Sequence, residues 1–227
     1  MAQQYSTRDL HYAPPIDLRP SILYNPEAES VYYMVPGIVA TLLLMITVML
    51  TAMAVVRERE IGTFEQLMVT PISTRVFLAG KVIPFIVLAF LEMGLALVLG
   101  VLWFDVPFVG SKLLLFGLAG IFLLTTLGVG LFFSTLASTQ QQAMFFAWFF
   151  SVFSILTSGF LTPVENMPQW LQYLTYLNPM RFFMNIVRGI MMKGAGIAEL
   201  SHDILVLAVF GVVVFGFSVM RFSKRTA

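Results

Sequence analysis

The densest chemistry in the sequence is the run Arg57-Glu58-Arg59-Glu60-Ile61-Gly62-Thr63-Phe64-Glu65-Gln66-Leu67-Met68-Val69-Thr70-Pro71. Thr63 and Gln66 have capping-box spacing, so a short helix is expected to start there. Phe64, Leu67 and Met68 would form its apolar face. Thr70-Pro71 ends it, because the residue before a proline avoids the helical region, and Ser73 can cap the next span. A short amphipathic helix held at a membrane face suits docking into a groove on a partner protein. An ordinary charged loop would account for the same residues.

Two other places carry chemistry. Glu92 stands alone in an apolar stretch, where a carboxylate must be paired, neutralised or hydrated, and such residues often mark pathways. Lys81 lies about 16 Å away along a helix, at roughly 1.5 Å per residue, so a partner on another helix is expected; a protonated packing residue is the plainer alternative. Residues 159–196 are cut by Pro163, Pro168 and Pro179 into pieces too short to span. Gln169–Leu177 is amphipathic and aromatic. Met180, Phe183, Ile186, Val187, Ile190 and Met191 recur at helical spacing with Arg181 and Arg188 on another face, and Gly194 is a candidate C-cap. These pieces read as re-entrant or interfacial helices. Either they form an outer gate, or Trp170, Tyr173 and Tyr176 simply anchor the chain in the interface. Gly128 and Gly130, with Thr125, Thr126, Ser134 and Thr135, read as helix-packing residues.

Catalytic constellations are missing from the sequence. Gly80-Lys81 lacks a phosphate-binding loop, the histidines are His11 and His202, and there is no cysteine. No bound metal or cofactor is expected, and the chain is not expected to be an enzyme.

The elements that must position these residues are membrane helices. Hydrophobic residues make up 59% of the 227 and charged residues 11%; soluble domains run to roughly 45–50% and about 25%. Mean hydropathy is +0.89. A net charge of +1 leaves no nucleic-acid footprint. Residues 35–56 carry no charge and would make about 33 Å of helix, enough for one pass. A second apolar run, 82–104, is broken only by Glu92 and gives an expected span at about 77–104. The uncharged run 113–164 is too long for one pass and splits at the polar cluster from Ser134-Thr135 to Gln140-Gln141-Gln142, giving 113–135 and 143–161. The last run is 204–220, an expected span at about 203–220. Five helical spans are expected, since an open sheet cannot be satisfied in lipid.

Basic residues set the orientation. Arg57, Arg59, Arg75 and Lys81 lie on one side with the tight cluster Arg221, Lys224 and Arg225. Arg181, Arg188 and Lys193 on the other side are sparse. Segment 57–81 and the tail 223–227 are therefore expected in the cytoplasm. Residues 1–34 would lie outside, and without a signal-peptide pattern they call for an upstream span to carry them across.

Four segments carry a resemblance. They are Tyr24-Asn25-Pro26 with Val35-Pro36-Gly37; the Arg57 to Pro71 run; Ser134-Thr135 with Gln140-Gln141-Gln142-Ala143; and Ser158-Gly159-Phe160, Pro163, Met167-Pro168, Trp170, Asn178-Pro179 and Arg188-Gly189. In order and spacing, over about 24–220, the chain resembles the type 2 ABC exporter permeases, the membrane half of bacterial ATP-driven drug and lipid exporters. The resemblance implies that Arg57, Glu58, Arg59, Glu60, Gly62, Thr63, Phe64, Glu65, Gln66, Leu67 and Pro71 belong to a coupling helix on a nucleotide-binding domain. It implies that Pro163, Pro168, Trp170, Asn178, Pro179, Arg181 and Arg188 belong to two re-entrant helices before the last span. It also implies six spans, a second permease copy or paralogue, and a P-loop ATPase subunit that holds ATP and magnesium. Membrane lipid and a periplasmic adaptor are further candidate partners. Residues 1–34 resemble the trailing edge of a large outer domain, so a truncated or split permease is expected. The first span, through Gly37, Ala40, Thr41, Thr47 and Thr51, is expected to pack on another copy or an upstream fragment. The expected function is export of amphipathic drug-like or lipid-like compounds across the bacterial inner membrane. The alternatives are an ion-coupled transporter using Glu92 and a non-transporting membrane scaffold.

Overall fold

The computed structural model describes residues 30–62 and 74–226. The expected helix start at Thr63, its apolar residues, and Glu65, Gln66, Pro71 and Ser73 lie outside them.

Every regular element among the described residues is helical. The first helix, α1, runs Ser30–Glu60, longer at both ends than the 35–56 span. Arginine and glutamate are good helix formers, so the charged residues 57–60 continue the helix instead of opening a loop. The second, α2, is Thr74–Leu102. Pro36 in α1 and Pro84 in α2 each remove one backbone donor without ending the helix. After α2 the chain turns through Asp105, which takes a left-handed φ of 50°, a region that aspartate tolerates better than most residues.

The third helix, α3, is Lys112–Leu136, capped by Ser111 Oγ on Leu114 N–H. The fourth, α4, is Gln140–Thr157, capped by Thr139 Oγ1 on Gln142 N–H. Gln142 Oε1 in return accepts Ser138 N–H at 2.9 Å. The long apolar run therefore divides at the expected polar cluster, because those side chains satisfy the orphan donors of a new helix start.

A single turn at Val164–Asn166 and two short helices follow, α5 at Gln169–Thr175 and α6 at Pro179–Lys193. The last helix, α7, is Ser201–Thr226. Among the described residues four helices are long and apolar enough to cross a membrane: α1, α2, α3 and α7. The expectation was five. The fourth helix, with 18 residues, opens on three glutamines that lower its apolar content.

The bundle is built around α1 and α3. Half of the span in α1 and 61% of that in α3 are buried, against 22% in α2 and 17% in α7, which lie outermost. Small residues set the closest approaches. A Cβ on Gly128 would meet Phe215 backbone at 2.8 Å, and one on Gly130 would meet Thr51 Cβ at 2.7 Å. Ser218 Oγ on α7 donates to Gly128 O at 2.7 Å. The packing role expected for these glycines holds, as lipid supplies no hydrophobic drive between helices and close backbone contact must.

The small residues of α1 do not face outward. Thr51 packs on Gly130, Gly37 lies against the Phe160 ring, and Ala40 and Thr47 are buried in this same chain. The expectation gave these residues to another copy or an upstream fragment; Gly37, Ala40, Thr47 and Thr51 are instead covered by the chain's own helices. The exposed row on α1 is Met34, Ile38 and Ile46.

Candidate functional site

The chemistry-bearing residues gather at the two ends of α1, about 46 Å apart at 1.5 Å per residue. At the Glu60 end, successive side chains of one helix turn reach different helices. Glu58 forms an ion pair with Lys81 of α2. Arg59 Nη1 donates to Ser134 O of α3 at 3.0 Å, and its guanidinium lies 5.5 Å from the centre of the Phe222 ring on α7. Glu60 Oε2 accepts from Gln140 of α4 twice, from Nε2 at 2.7 Å and from the backbone N–H at 3.3 Å. Helical geometry makes this possible, since three consecutive residues point about 100° apart and so address three neighbours. Arg57 is exposed. Gly62, at φ 78°, turns the chain out of the helix.

At the Ser30 end the ties are more deeply buried. Tyr33 Oη donates to Gly159 O at 2.7 Å, and Arg188 Nη1 donates to the same carbonyl at 3.1 Å. The Arg188 guanidinium stacks on the Tyr33 ring at 3.7 Å. Burial pushes the Arg188 pKa below the ordinary arginine range, while the facing Tyr33 acts in the opposite direction. Asn178 is buried and caps α6, accepting Met180 N–H at 3.0 Å. Its amide donates to Ser154 O at 2.7 Å and Thr157 Oγ1 at 2.9 Å, fixing the end of α4. Pro179 opens α6, where a missing N–H costs nothing. Arg181 stacks on Tyr176 at 4.2 Å and donates to Thr175 Oγ1.

The inner face of α6 is buried through Met180, Phe183, Ile186, Val187, Ile190 and Met191, and Phe183 stacks on Phe122 of α3 with ring centres 4.2 Å apart. Gly194 ends the helix at φ 66°, beside Val109 of the loop before α3. Both ends of α6 thus lie at one end of the bundle, as expected of a re-entrant or an interfacial piece. Pro163 precedes the single turn and Pro168 precedes α5. Trp170, Tyr173 and Tyr176 are exposed.

Glu92 sits alone near the middle of α2, away from both clusters. Both carboxylate oxygens are buried, and neither has a hydrogen-bond partner among the described residues. Lys81, weighed as its partner, is engaged by Glu58 instead. Sequence reasoning did not find the roles of Lys81, Tyr33, Gly159 and Phe222. Lys81 and Tyr33 carried no local signal, because their partners come from distant parts of the chain.

A family model described as ABC-2 family transporter protein matches residues 1–220. The chain belongs to this family. It is 38% identical over 174 residues to the "Probable multidrug ABC transporter permease YbhR" of Escherichia coli (strain K12), covering 77% of this chain and 47% of that protein. It is 33% identical over 215 residues to YbhS of the same organism, which carries the same description, covering 94% and 57%. It is 30% identical over 217 residues to the "Inner membrane transport permease YhhJ", also of Escherichia coli (strain K12), covering 93% and 57%. The chain thus spans about half the length of the relatives it matches. Four apolar helices in a member of this family make it a multi-pass membrane protein.

Proposed function

We propose that the chain is the membrane subunit of an ATP-driven exporter of amphipathic drug-like or lipid-like compounds in the bacterial inner membrane. A separate P-loop ATPase subunit would bind ATP and magnesium, and two permease copies, or one with a paralogue, would enclose the path. The observation that carries this reading is the clamp at the Glu60 end. In a member of a permease family, the charged residues leading into segment 63–71 are tied to α2, α3, α4 and α7 at once. A push delivered there would reach every long helix of the bundle together. The Tyr33, Arg188 and Gly159 ties at the far end, with α6 above the core, would serve as the outer gate.

Orientation rests on the basic clusters at 57–81 and 221–225, which favour the cytoplasmic side for the clamp. The test is purification from native membranes followed by transport in vesicles. Co-purification with a P-loop ATPase, and uptake that needs ATP, is the expected result. Transport abolished by a proton ionophore but spared by ATP depletion would overturn it.

A further inference from the structure

We propose that Glu92 is a recognition site for lipophilic organic cations, a substrate class within the exporter reading on which this inference rests. Helical spacing sets Glu92 at a boundary. On one side is the buried stripe Ala89, Met93 and Leu97, and on the other the exposed row Leu88, Leu95 and Leu99. Its carboxylate is buried without a partner among the described residues, and the exposed leucines beside it form the outer face of α2.

Among the described residues no counter-charge is at hand. Gly100 packs on Val35 and Lys81 pairs with Glu58, so α1 runs antiparallel alongside α2. Between Tyr33 and Arg57, α1 has no titratable group. On the α3 side, Phe116 and Gly120 lie against Gly94 and Phe90 at this level, and α3 has no titratable group beyond Lys112. On α2 itself the charged neighbour is Lys81, already engaged at the end of the bundle.

An ionised carboxylate in such surroundings needs a positive partner brought from outside. A small metal ion would need several oxygen ligands, and among the described residues no group of three acidic or histidine side chains is gathered to supply them. A bulky organic cation needs one opposite charge and an apolar bed, and this position offers both.

The experiment uses the full chain in lipid nanodiscs, radiolabelled tetraphenylphosphonium as the cation and triphenylphosphine oxide as a neutral probe of similar shape. Tetraphenylphosphonium should bind saturably, more tightly as pH rises and the carboxyl loses its proton. Glu92→Gln should weaken it by about tenfold or more in Kd, Glu92→Asp by less, and neither should alter binding of the neutral probe. If Glu92→Gln fails to fold, the pH dependence of the unmodified chain and the Glu92→Asp variant decide. No saturable cation binding, pH-independent binding, or equal loss of both probes would overturn the proposal. Because no ATPase is present, that failure is distinct from failure of the exporter reading, which rests on co-purification.

Discussion

Asn178 offers the sharpest test of the Ser30 end, because its two polar atoms do opposite jobs. Its Oδ1 accepts Met180 N–H, while Nδ2 donates to Ser154 O and Thr157 Oγ1. The Thr157 hydroxyl is already donating to Phe153 O at 2.8 Å, so toward residue 178 it can only accept. Replacing Asn178 by alanine removes the cap, worth about 0.5–2 kcal/mol, and two buried hydrogen bonds at roughly 0.5–1.5 kcal/mol each. The loss should be about 2–4 kcal/mol, or roughly 5–15 °C in the melting temperature of a chain this size. Asn178→Asp keeps the cap acceptor, and a helix start ordinarily favours a carboxylate. Here, however, it aims an oxygen at two acceptors. It should therefore melt no higher than Asn178→Ala. The assay is thermal unfolding in detergent followed by size-exclusion fluorescence. An aspartate variant that melts near the unmodified protein would refute the assigned hydrogen-bond directions and the claim that residue 178 welds α4 to α6.

Three further outcomes are expected. Charge reversal at either Lys81 or Glu58 should lower stability by up to about 1 kcal/mol, since the pair is partly exposed; the double reversal should restore it in a thermal melt, and non-recovery would remove the pair as a tie. Gly128→Ala should destabilise by about 1–3 kcal/mol by forcing α3 from the Phe215 backbone, whereas Gly117→Ala, which meets nothing, should be neutral or slightly stabilising in the same melt. In this cysteine-free chain, a cysteine at Ser73 should be shielded from a membrane-impermeant thiol reagent in intact cells and one at Gln169 labelled; the reverse pattern would invert the orientation.

What could be read from the sequence was what is local. The break between α3 and α4 was legible because Thr139 and Gln142 act within four residues of each other. The buried face of α6 and its stop at Gly194 were legible because helical period and a left-handed glycine are short-range signals. The helical end of α1 was misjudged, because charge suggested a loop while 57–60 were held in helix by partners on four other elements. The small residues of α1 were read correctly as a contact face, but composition cannot say which neighbour meets it; the answer, Gly130 and Phe160, lies far along the chain. At the functional ends, Glu58, Arg59 and Glu60 stood out by charge. Lys81 was weighed only against Glu92, and Glu58 is the partner it has.

The two ends of α1 differ in the kind of tie they carry, and that difference bears on how the bundle could move. At the Ser30 end, Tyr33 and Arg188 converge on one backbone carbonyl, Gly159 O, so this buried acceptor keeps a donor when either lets go, and both must leave before it is orphaned. At the Glu60 end, the Glu60–Gln140 bonds are exposed and the Glu58–Lys81 pair is partly so, so water can replace these two at little cost, while Arg59 keeps its part-buried bond to Ser134 O. A 31-residue rod whose exchangeable contacts lie mainly at one end can pivot about the other, with Arg59 as the tie that must follow or give. Under the exporter reading, force applied near 57–62 would swing that end through its exchangeable contacts. The lever arm then places the largest displacement at the clamp and the smallest at Gly159. Weakening Tyr33 by Tyr33→Phe would loosen the pivot and should reduce transport without reducing capture of the ATPase, while weakening Glu60 should alter coupling with the outer contacts intact. If both substitutions instead impair ATPase capture equally, α1 does not act as a lever and the two ends are merely structural.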